Sequence, residues 1–480
     1  MNTPVDDTIC AIATPVGEGG IGIVRISGAH AVDIAAHVVR PRNQQPLHQL
    51  ESYRLYLSDV LYPESPLPPG EGKGEGPAID EALVVIMRKP HSYTGEDVVE
   101  IQAHGGAWIL QATCHGLIRH GARMAQPGEF TKRAFLNGRL DLSQAEAVLD
   151  TIQATTSRSL HAAQSLLRGS LSKEVDALRE RLIRVLAHVE AGMDFAEEDI
   201  TFIQAAEVQQ ALMDTQWAVE QLIASYEEGR IIREGIKVAI IGRPNVGKSS
   251  LLNALLKLDR AIVSDQPGTT RDVIDESMNV RGIPLRLLDT AGLRPTQDRI
   301  EGEGIRRTED AIAEADVLLL VLDGAEGVTD EDRAVFETYG SRKPLLVMNK
   351  MDLPESQTFS SLPLGEVQGE GEGEGPAFVK VSAKTGEGLD HLTSVIQSVC
   401  LKEGLEATPS VLVTRLRHKA SLEQAHRSVE EAMRSLERKE SGECVALDIR
   451  AALDALGEIT GAVSTDDILD RIFQDFCIGK

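Results

Sequence analysis

The chain has 480 residues, too many for one ordinary hydrophobic core and enough for about three domains of 100 to 200 residues. Hydrophobic residues make up 42% and charged residues 26%, a globular balance that excludes a wholly disordered, collagenous or coiled-coil chain. Acidic residues outnumber basic ones 74 to 49, a net charge of −25, which excludes broad phosphate neutralisation as the means of holding a nucleic acid.

The N-terminus, with Asp6 and Asp7 ahead of Ile9, lacks the basic then apolar layout of a signal peptide. The longest purely aliphatic run, Val317 to Leu322, is far below the roughly 18 residues of a membrane span. Five scattered cysteines, Cys10, Cys114, Cys400, Cys444 and Cys477, show no spacing of a zinc site or disulfide framework, so reduced thiols and a cytoplasmic location are expected. Cys477 is fourth from the end, but Ile, Gly and Lys follow it, which does not make a prenylation box.

Residues 1–139 carry strand signals in Ile21–Ile26 and Ala82–Met87, with Gly-rich punctuation, and read as a small α+β domain. Two Gly/Glu-rich stretches, 70–78 and 369–377, share their wording; they bury nothing and read as inserted surface loops, spanning 63–78 and 363–377. They are either two copies of one repetitive element or two independently biased loops. From Leu142 the period changes: Val175, Leu178, Leu182, Val185 and Val189 stand three and four apart, a helical stripe. Helices continue to Arg233 and resume after Val395, with Leu422, Ala425, Val429, Ala432 and Leu436, then Ile468, Ile472 and Phe476. The two helical segments, 140–233 and 398–480, are expected to pack together, leaving 236–397 as a domain inserted between them.

The insert carries the legible chemistry. The strand Ile236–Ile241 runs into Gly242-Arg243-Pro244-Asn245-Val246-Gly247-Lys248-Ser249, with Ser250 opening a helix. This is a phosphate-binding loop: backbone N–H groups and the helix N-terminus wrap phosphates, Lys248 adds a point charge and Ser249 an oxygen for Mg2+. The strand Leu285–Leu288 leads into Asp289-Thr290-Ala291-Gly292, placing a carboxylate near Mg2+ and a Gly N–H near the γ-phosphate. A third strand ends in Asn349-Lys350-Met351-Asp352, whose last carboxylate can accept both guanine N1–H and the 2-amino group. Ser382-Ala383-Lys384 supplies backbone contacts near the guanine oxygen. Together these elements describe an α/β P-loop GTPase domain. Leu293 stands where a Ras-type enzyme has its water-positioning Gln, so another group has to orient the water. Thr270, in the loop after the first helix, is the candidate switch residue and second Mg2+ ligand.

Further segments stand outside the nucleotide motifs: Asp7–Pro15 with Gly19–Gly22, Gly95-Glu96-Asp97, His104-Gly105-Gly106, Gln126–Phe130, Arg133–Arg139, Gly268-Thr269-Thr270-Arg271-Asp272, and Phe476–Lys480. With the nucleotide motifs they resemble the MnmE (TrmE) family of tRNA-modification GTPases over essentially the whole chain, the two Gly/Glu loops excepted. Gln126 departs from a commoner basic residue, and Ser264 from a commoner Thr.

The resemblance implies a homodimer formed through N-terminal domains that bind 5-formyl- or methylene-tetrahydrofolate, a helical domain in two segments, and an inserted GTPase. It implies a partner, the FAD-carrying flavoprotein MnmG (GidA), in a heterotetramer or larger complex, and a tRNA substrate. Aminomethyl or carboxymethylaminomethyl groups are then added to C5 of the wobble uridine. It maps a K+ site onto the Asn245 side chain and the backbone oxygens of Ser264, Gln266 and Thr269, with Asp265, Pro267 and Gly268 completing the loop around GTP. It maps water orientation onto Glu301, with Glu303 the nearest competitor, and folate contacts onto Arg25, Glu100, Arg139 and Lys480. Catalysis is thereby expected of Glu301, Lys248 and Thr270. An alternative is a ribosome-assembly GTPase of the Era or Der type, which shares the nucleotide motifs but not the N-terminal ones.

Overall fold

The computed structural model describes residues 7–15, 17, 19–61, 78–194, 201–258, 276–288, 309–354, 378–400, 411–474 and 476–479. The expected sites at Ser264, Asp265, Gln266, Pro267, Gly268, Thr269, Thr270, Asp289, Thr290, Ala291, Gly292, Glu301 and Lys480 lie outside the described residues, as do both Gly/Glu loops except Ala78. The chain divides into two compact units, Met1–Leu149 with Leu166–Trp217 and Ser421–Lys480, and Asp150–Ser165 with Ala218–Ala420.

The first unit holds a seven-stranded sheet: β1 Thr8–Ile12, β2 Gly19–Ser27, β3 Val39–Pro41, β4 Leu55–Leu61, β5 Ala78–Met87, β6 Val98–Gly105 and β7 Ala122–Met124. The order is β3-β4-β5-β6-β2-β1-β7, antiparallel except for the β1–β7 pair. Alternation fixes which face is core: Val24 and Ile26 on β2, and Ala82, Val84 and Ile86 on β5, are buried with Leu110 and Leu117 of helix Ala107–Arg119, while Leu83 faces outward. Ala78, expected to close the first Gly/Glu loop, is the first residue of β5 and pairs with Leu61. Residues 62–77 thus join two adjacent antiparallel strands.

The expected helical stripe holds on helix Ser170–Asp194, where Val175, Leu178, Leu182 and Val185 are buried. This helix packs on helix Gly442–Thr460, and a Cβ on Gly442 would stand 2.6 Å from Met193 Cγ. The two helical segments therefore do meet. In helix Asp466–Gln474 the buried residues are Leu469 and Phe473, with Ile472 partly buried and Phe476 just beyond the end. Leu469, Ile472, Phe473 and Phe476 fall at i, i+3, i+4 and i+7, so Ile472 and Phe476 of the expected line join the core while Ile468 is half-buried at its margin.

A buried ion network ties the N-terminal strand to helix Glu129–Leu136. Arg133, with 5% of its side chain exposed, donates to Asp7 Oδ1 at 2.6 Å and Glu129 Oε1 at 3.1 Å and pairs with Glu96 at 3.3 Å. Arg123 grips Glu129 with two bonds. Burial alone would raise the Glu129 carboxyl, but hydrogen bonds from Arg123, the Gln126 N–H and Arg133 outweigh it and hold the group below its ordinary 4.5.

The second unit is built on a six-stranded sheet: β8 Ile236–Ile241, β9 Glu276–Val280, β10 Ile283–Leu288, β11 Val317–Asp323, β12 Leu345–Asn349 and β13 Phe378–Lys380, in the order β13-β12-β11-β8-β10-β9. It is parallel apart from the β9–β10 hairpin. The aliphatic run of β11 is buried on both faces, Val317, Leu319 and Val321 in one core and Leu318, Leu320 and Leu322 in the other, as a central parallel strand requires. Helices Lys248–Leu258, Asp330–Tyr339 and Leu389–Cys400 complete the α/β layers.

Parts of the segments expected in the helical domain cluster with this sheet, for a reason spacing does not display. Asp150 accepts from Arg233 at 2.9 Å and Arg415 at 2.7 Å. A Cβ on Gly229 would stand 2.2 Å from Val413 O.

The depressed Glu129 carboxyl contributes stability that is complete above its unfolded value and is lost as pH falls through the folded value. Glu129→Gln is expected to cost about 3 kcal/mol at pH 7, since it leaves the buried Arg133 guanidinium, and the half-exposed one of Arg123, short of a partner. Thermal melts from pH 7 downward should show the wild type losing its advantage below about pH 4.5; equal melts at pH 7 would remove this role for the network.

Candidate nucleotide and folate sites

The carboxyl ends of β8, β11 and β12 lie side by side in the second unit, where open parallel sheets place ligands. From β8 the chain turns through Gly242 at φ 144° and Asn245 at φ 66° into Gly247 at φ 96°. Helix Lys248–Leu258 follows, with Ser249 and Ser250 exposed in its first turn. Val246 is fully buried. The Lys248 ammonium donates to the carbonyls of Gly242 at 2.7 Å and Arg243 at 2.8 Å, so it lies across the loop it belongs to. Burial lowers its pKa, because the ammonium is taken partly out of water.

The structure brings the phosphate loop, the Asn349–Asp352 loop and the Ser382–Lys384 segment together through one side chain. Asn349, 2% exposed, donates from Nδ2 to Val246 O at 3.0 Å and accepts the Ala383 N–H at Oδ1, also at 3.0 Å. The Ala383 N–H, expected near the guanine oxygen, is thus committed to Asn349. Gly247 is required here, because its Cβ would stand 2.3 Å from Asn349 Nδ2. Asp352 is oriented by Ser382 Oγ, which donates to Oδ1 at 2.7 Å, with Lys384 Nζ 3.7 Å from Oδ2. The Ser382 bond, aided by Lys384, holds the Asp352 carboxyl below its ordinary value, so it is an acceptor at neutral pH. Met351 packs its sulfur against the bare face of Gly324.

One residue of this site escaped the sequence reading. Asp323, the last residue of β11, accepts from Lys350 Nζ at 2.5 Å. Its signal was the aliphatic run ending in Asp323-Gly324, beside a loop that needs a fixed cation.

In the first unit the structure brings Arg25 and Glu100 together as directly opposed residues of β2 and β6. Arg25 Nε and Nη2 both reach Glu100 Oε1, at 2.9 and 2.8 Å. The guanidinium lies 5.5 Å from the Tyr93 ring centre and 5.6 Å from that of Phe130, and Nη1 donates to Gly479 O at 3.3 Å. The tail is seated by close backbone approach, for a Cβ on Gly479 would stand 2.4 Å from Ile12 O. Arg139 Nε donates to Ser92 O at 3.2 Å, next to Tyr93. Three of the four residues expected at folate therefore border one corner, and the tail leading to the fourth, Lys480, reaches it.

Asn349→Ala would leave Val246 O and the Ala383 N–H without their buried partner, a cost of about 1–3 kcal/mol each. Calorimetric titration is expected to show GDP binding weakened by at least about tenfold; unchanged affinity would mean the junction does not shape the site.

Residues 8–139 match the family described as GTP-binding protein TrmE N-terminus, and residues 142–477 match the MnmE helical domain. The tRNA modification GTPase MnmE of Moorella thermoacetica is 47% identical over 479 residues, covering 99% of this chain and 100% of that protein. The protein of the same name from Syntrophus aciditrophicus is 46% identical over 478 residues, covering 99% of each, and that of Alkaliphilus oremlandii 42% over 476, covering 99% and 100%. Matched from end to end, with its phosphate and base loops joined through Asn349, the chain belongs to the MnmE/TrmE family of tRNA modification GTPases.

Proposed function

We propose that this protein is a K+-stimulated GTP hydrolase that acts with the flavoprotein MnmG on tRNA. The two would add aminomethyl or carboxymethylaminomethyl groups to C5 of the wobble uridine, drawing on a folate one-carbon unit. The observation that carries the nucleotide part is the Asn349 junction, which fixes a guanine-reading carboxylate and a phosphate loop in one block. The Era/Der reading accounts only for the nucleotide motifs, whereas relatives named for tRNA modification match the chain along its full length.

The donor set suits the ions this reading requires. The Ser249 hydroxyl stands exposed in the first helical turn after Lys248, and with Thr270 it would hold Mg2+. Asn245 is exposed on a left-handed backbone at the head of the loop, which turns its carboxamide outward. With Ser264, Gln266 and Thr269 it would hold K+. Bound there, the cations supply positive charge where phosphoryl transfer accumulates negative charge. Lys248 supplies the same from the protein, and Glu301 orients the attacking water in place of a Ras-type Gln. Asp352 selects guanine by accepting two donors from one edge of the base.

For folate, a cationic group near two aromatic rings and beside a carboxylate is chemistry suited to a flat, hydrogen-bonding heterocycle with an acidic tail. Arg25, Glu100, Arg139 and Lys480 are the residues assigned to it. The acidic net charge of −25 supports a division of labour in which the FAD-carrying partner makes much of the phosphate contact. Homodimerisation through the N-terminal domains, and of the GTPase domains 236–397 during turnover, completes the reading, with 140–233 and 398–480 as the helical domain.

GTP hydrolysis in KCl and in NaCl at matched ionic strength tests the ion requirement. Faster turnover in K+, abolished by Asn245→Ala, is expected, and equal rates in both salts would remove the K+ site. Glu301→Ala is expected to lower kcat by about 100-fold or more while GTP still binds; turnover at the wild-type rate would rule the assignment out. Arg25→Ala should abolish binding of 5-formyltetrahydrofolate while leaving GTP binding unchanged.

A further inference from the structure

We propose that Asp323 is a positioning residue for nucleotide recognition: by holding the Lys350 ammonium it sets the backbone of the base loop so that Asp352 meets the guanine edge. The inference rests on the guanine reading above and concerns a residue that touches no part of the nucleotide in that reading.

Asp323 ends β11 opposite Asn349, its register partner on β12. Only 4% of its side chain is exposed, and each carboxylate oxygen is used. Oδ2 accepts from Lys350 Nζ at 2.5 Å, and Oδ1 accepts the Ala325 N–H at 3.0 Å. A buried carboxylate persists only when it is paired and hydrogen-bonded in this way. The partner it holds is unusual in its backbone, since Lys350 sits at φ 65°, a conformation a lysine adopts only where its surroundings impose it.

The surroundings are two interlocked turns. The Gly324 N–H donates to Asn349 O at 2.8 Å. A Cβ on Gly324 would stand 2.8 Å from both Asn349 O and Met351 Sδ, so the two backbones approach as closely as glycine allows. The Asp323–Lys350 bond closes this clasp on the side-chain side, across the residue whose left-handed twist aims Asp352 at Ser382. Freed from the ion pair, Lys350 can return to an ordinary backbone conformation, and the carboxylate two residues on turns with it.

Guanine reading depends on where the Asp352 carboxylate points, so the test compares ligands that differ only at the edge it meets. Binding of GDP, IDP (which lacks the 2-amino group) and ADP is measured by calorimetry on the full chain, for wild type, Asp323→Asn and Lys350→Arg, with thermal melts alongside. The first variant keeps the shape of the side chain, and the second keeps the charge at a partly exposed position. The wild type is expected to bind GDP at least about tenfold tighter than IDP, the scale of one charge-assisted hydrogen bond. In Asp323→Asn GDP binding should weaken by roughly tenfold and the GDP-to-IDP ratio should fall toward one, whereas Lys350→Arg, which can still pair with Asp323, should keep most of the ratio.

A residue that merely stabilises the fold would lower the melting temperature and weaken both nucleotides together, leaving the ratio intact. That result, or a wild-type ratio retained in Asp323→Asn, overturns this inference alone. A wild type that fails to prefer GDP over ADP overturns the guanine reading, and this inference with it.

Discussion

The nucleotide site depends on one buried carboxamide. Asn349 offers one donor and one acceptor to two other loops, and it is 2% exposed, so neither bond competes with water. Its position dictates Gly247, whose side chain would occupy the space of Nδ2. Val246, between Asn245 and Gly247, is buried against the sheet core. The loop that would hold phosphates is thereby fixed at both its backbone and its apolar anchor. Binding then orders fewer groups, because the fold has already ordered the loops that form the site.

The first unit reaches comparable fixity by a different route. Its corner at Arg25 is assembled from a strand pair, two nearby rings and the C-terminal tail. The tail is held by backbone contact more than by side chains. Gly479 lies against Ile12 O, and Gly128, at φ 66°, lies 2.7 Å from Phe473 O at the position a Cβ would take. Two glycines far apart in sequence thus let the last residues lie flat on the first strands. The Arg133 network secures the same strands from beneath, joining Asp7, Glu96 and Glu129.

What was legible in the sequence is what chemistry constrains to a fixed spacing. The strand before the phosphate loop, the glycines within it and the Asn349–Asp352 loop follow from how N–H groups and carboxylates meet a nucleotide. The apolar run of β11 follows from burial on both faces. What was not legible depends on partners far away in the chain. Asp150 bonds Arg233 and Arg415, and no local pattern marks those three as a set, so the unit boundary falls within helices that the sequence treats as continuous. Asp323 was hidden for a related reason. An Asp at the end of a strand is an ordinary turn residue until the lysine on the neighbouring strand's loop is seen to need it. In helix Asp466–Gln474 the expected residues Ile472 and Phe476 do join the core, and what the spacing left out is their neighbours Leu469 and Phe473.

The phosphate loop itself contains two cations, Arg243 and Lys248, and the fold assigns them opposite tasks. Arg243 is largely buried, bonded to Glu326 and 3.4 Å from the buried Asp332 carboxylate. Asp332 closes the capping box that starts helix Asp330–Tyr339, so the arginine anchors the loop to that helix and its charge is met by two carboxylates. Among the described residues Lys248 is met by carbonyls, which orient an ammonium without neutralising it. In a chain with 25 more negative than positive charges, a cation near phosphate is useful only if no carboxylate claims it first. Among the described residues Lys248 is thus the loop cation that no carboxylate meets, whereas Lys350 on the base loop is tied to Asp323.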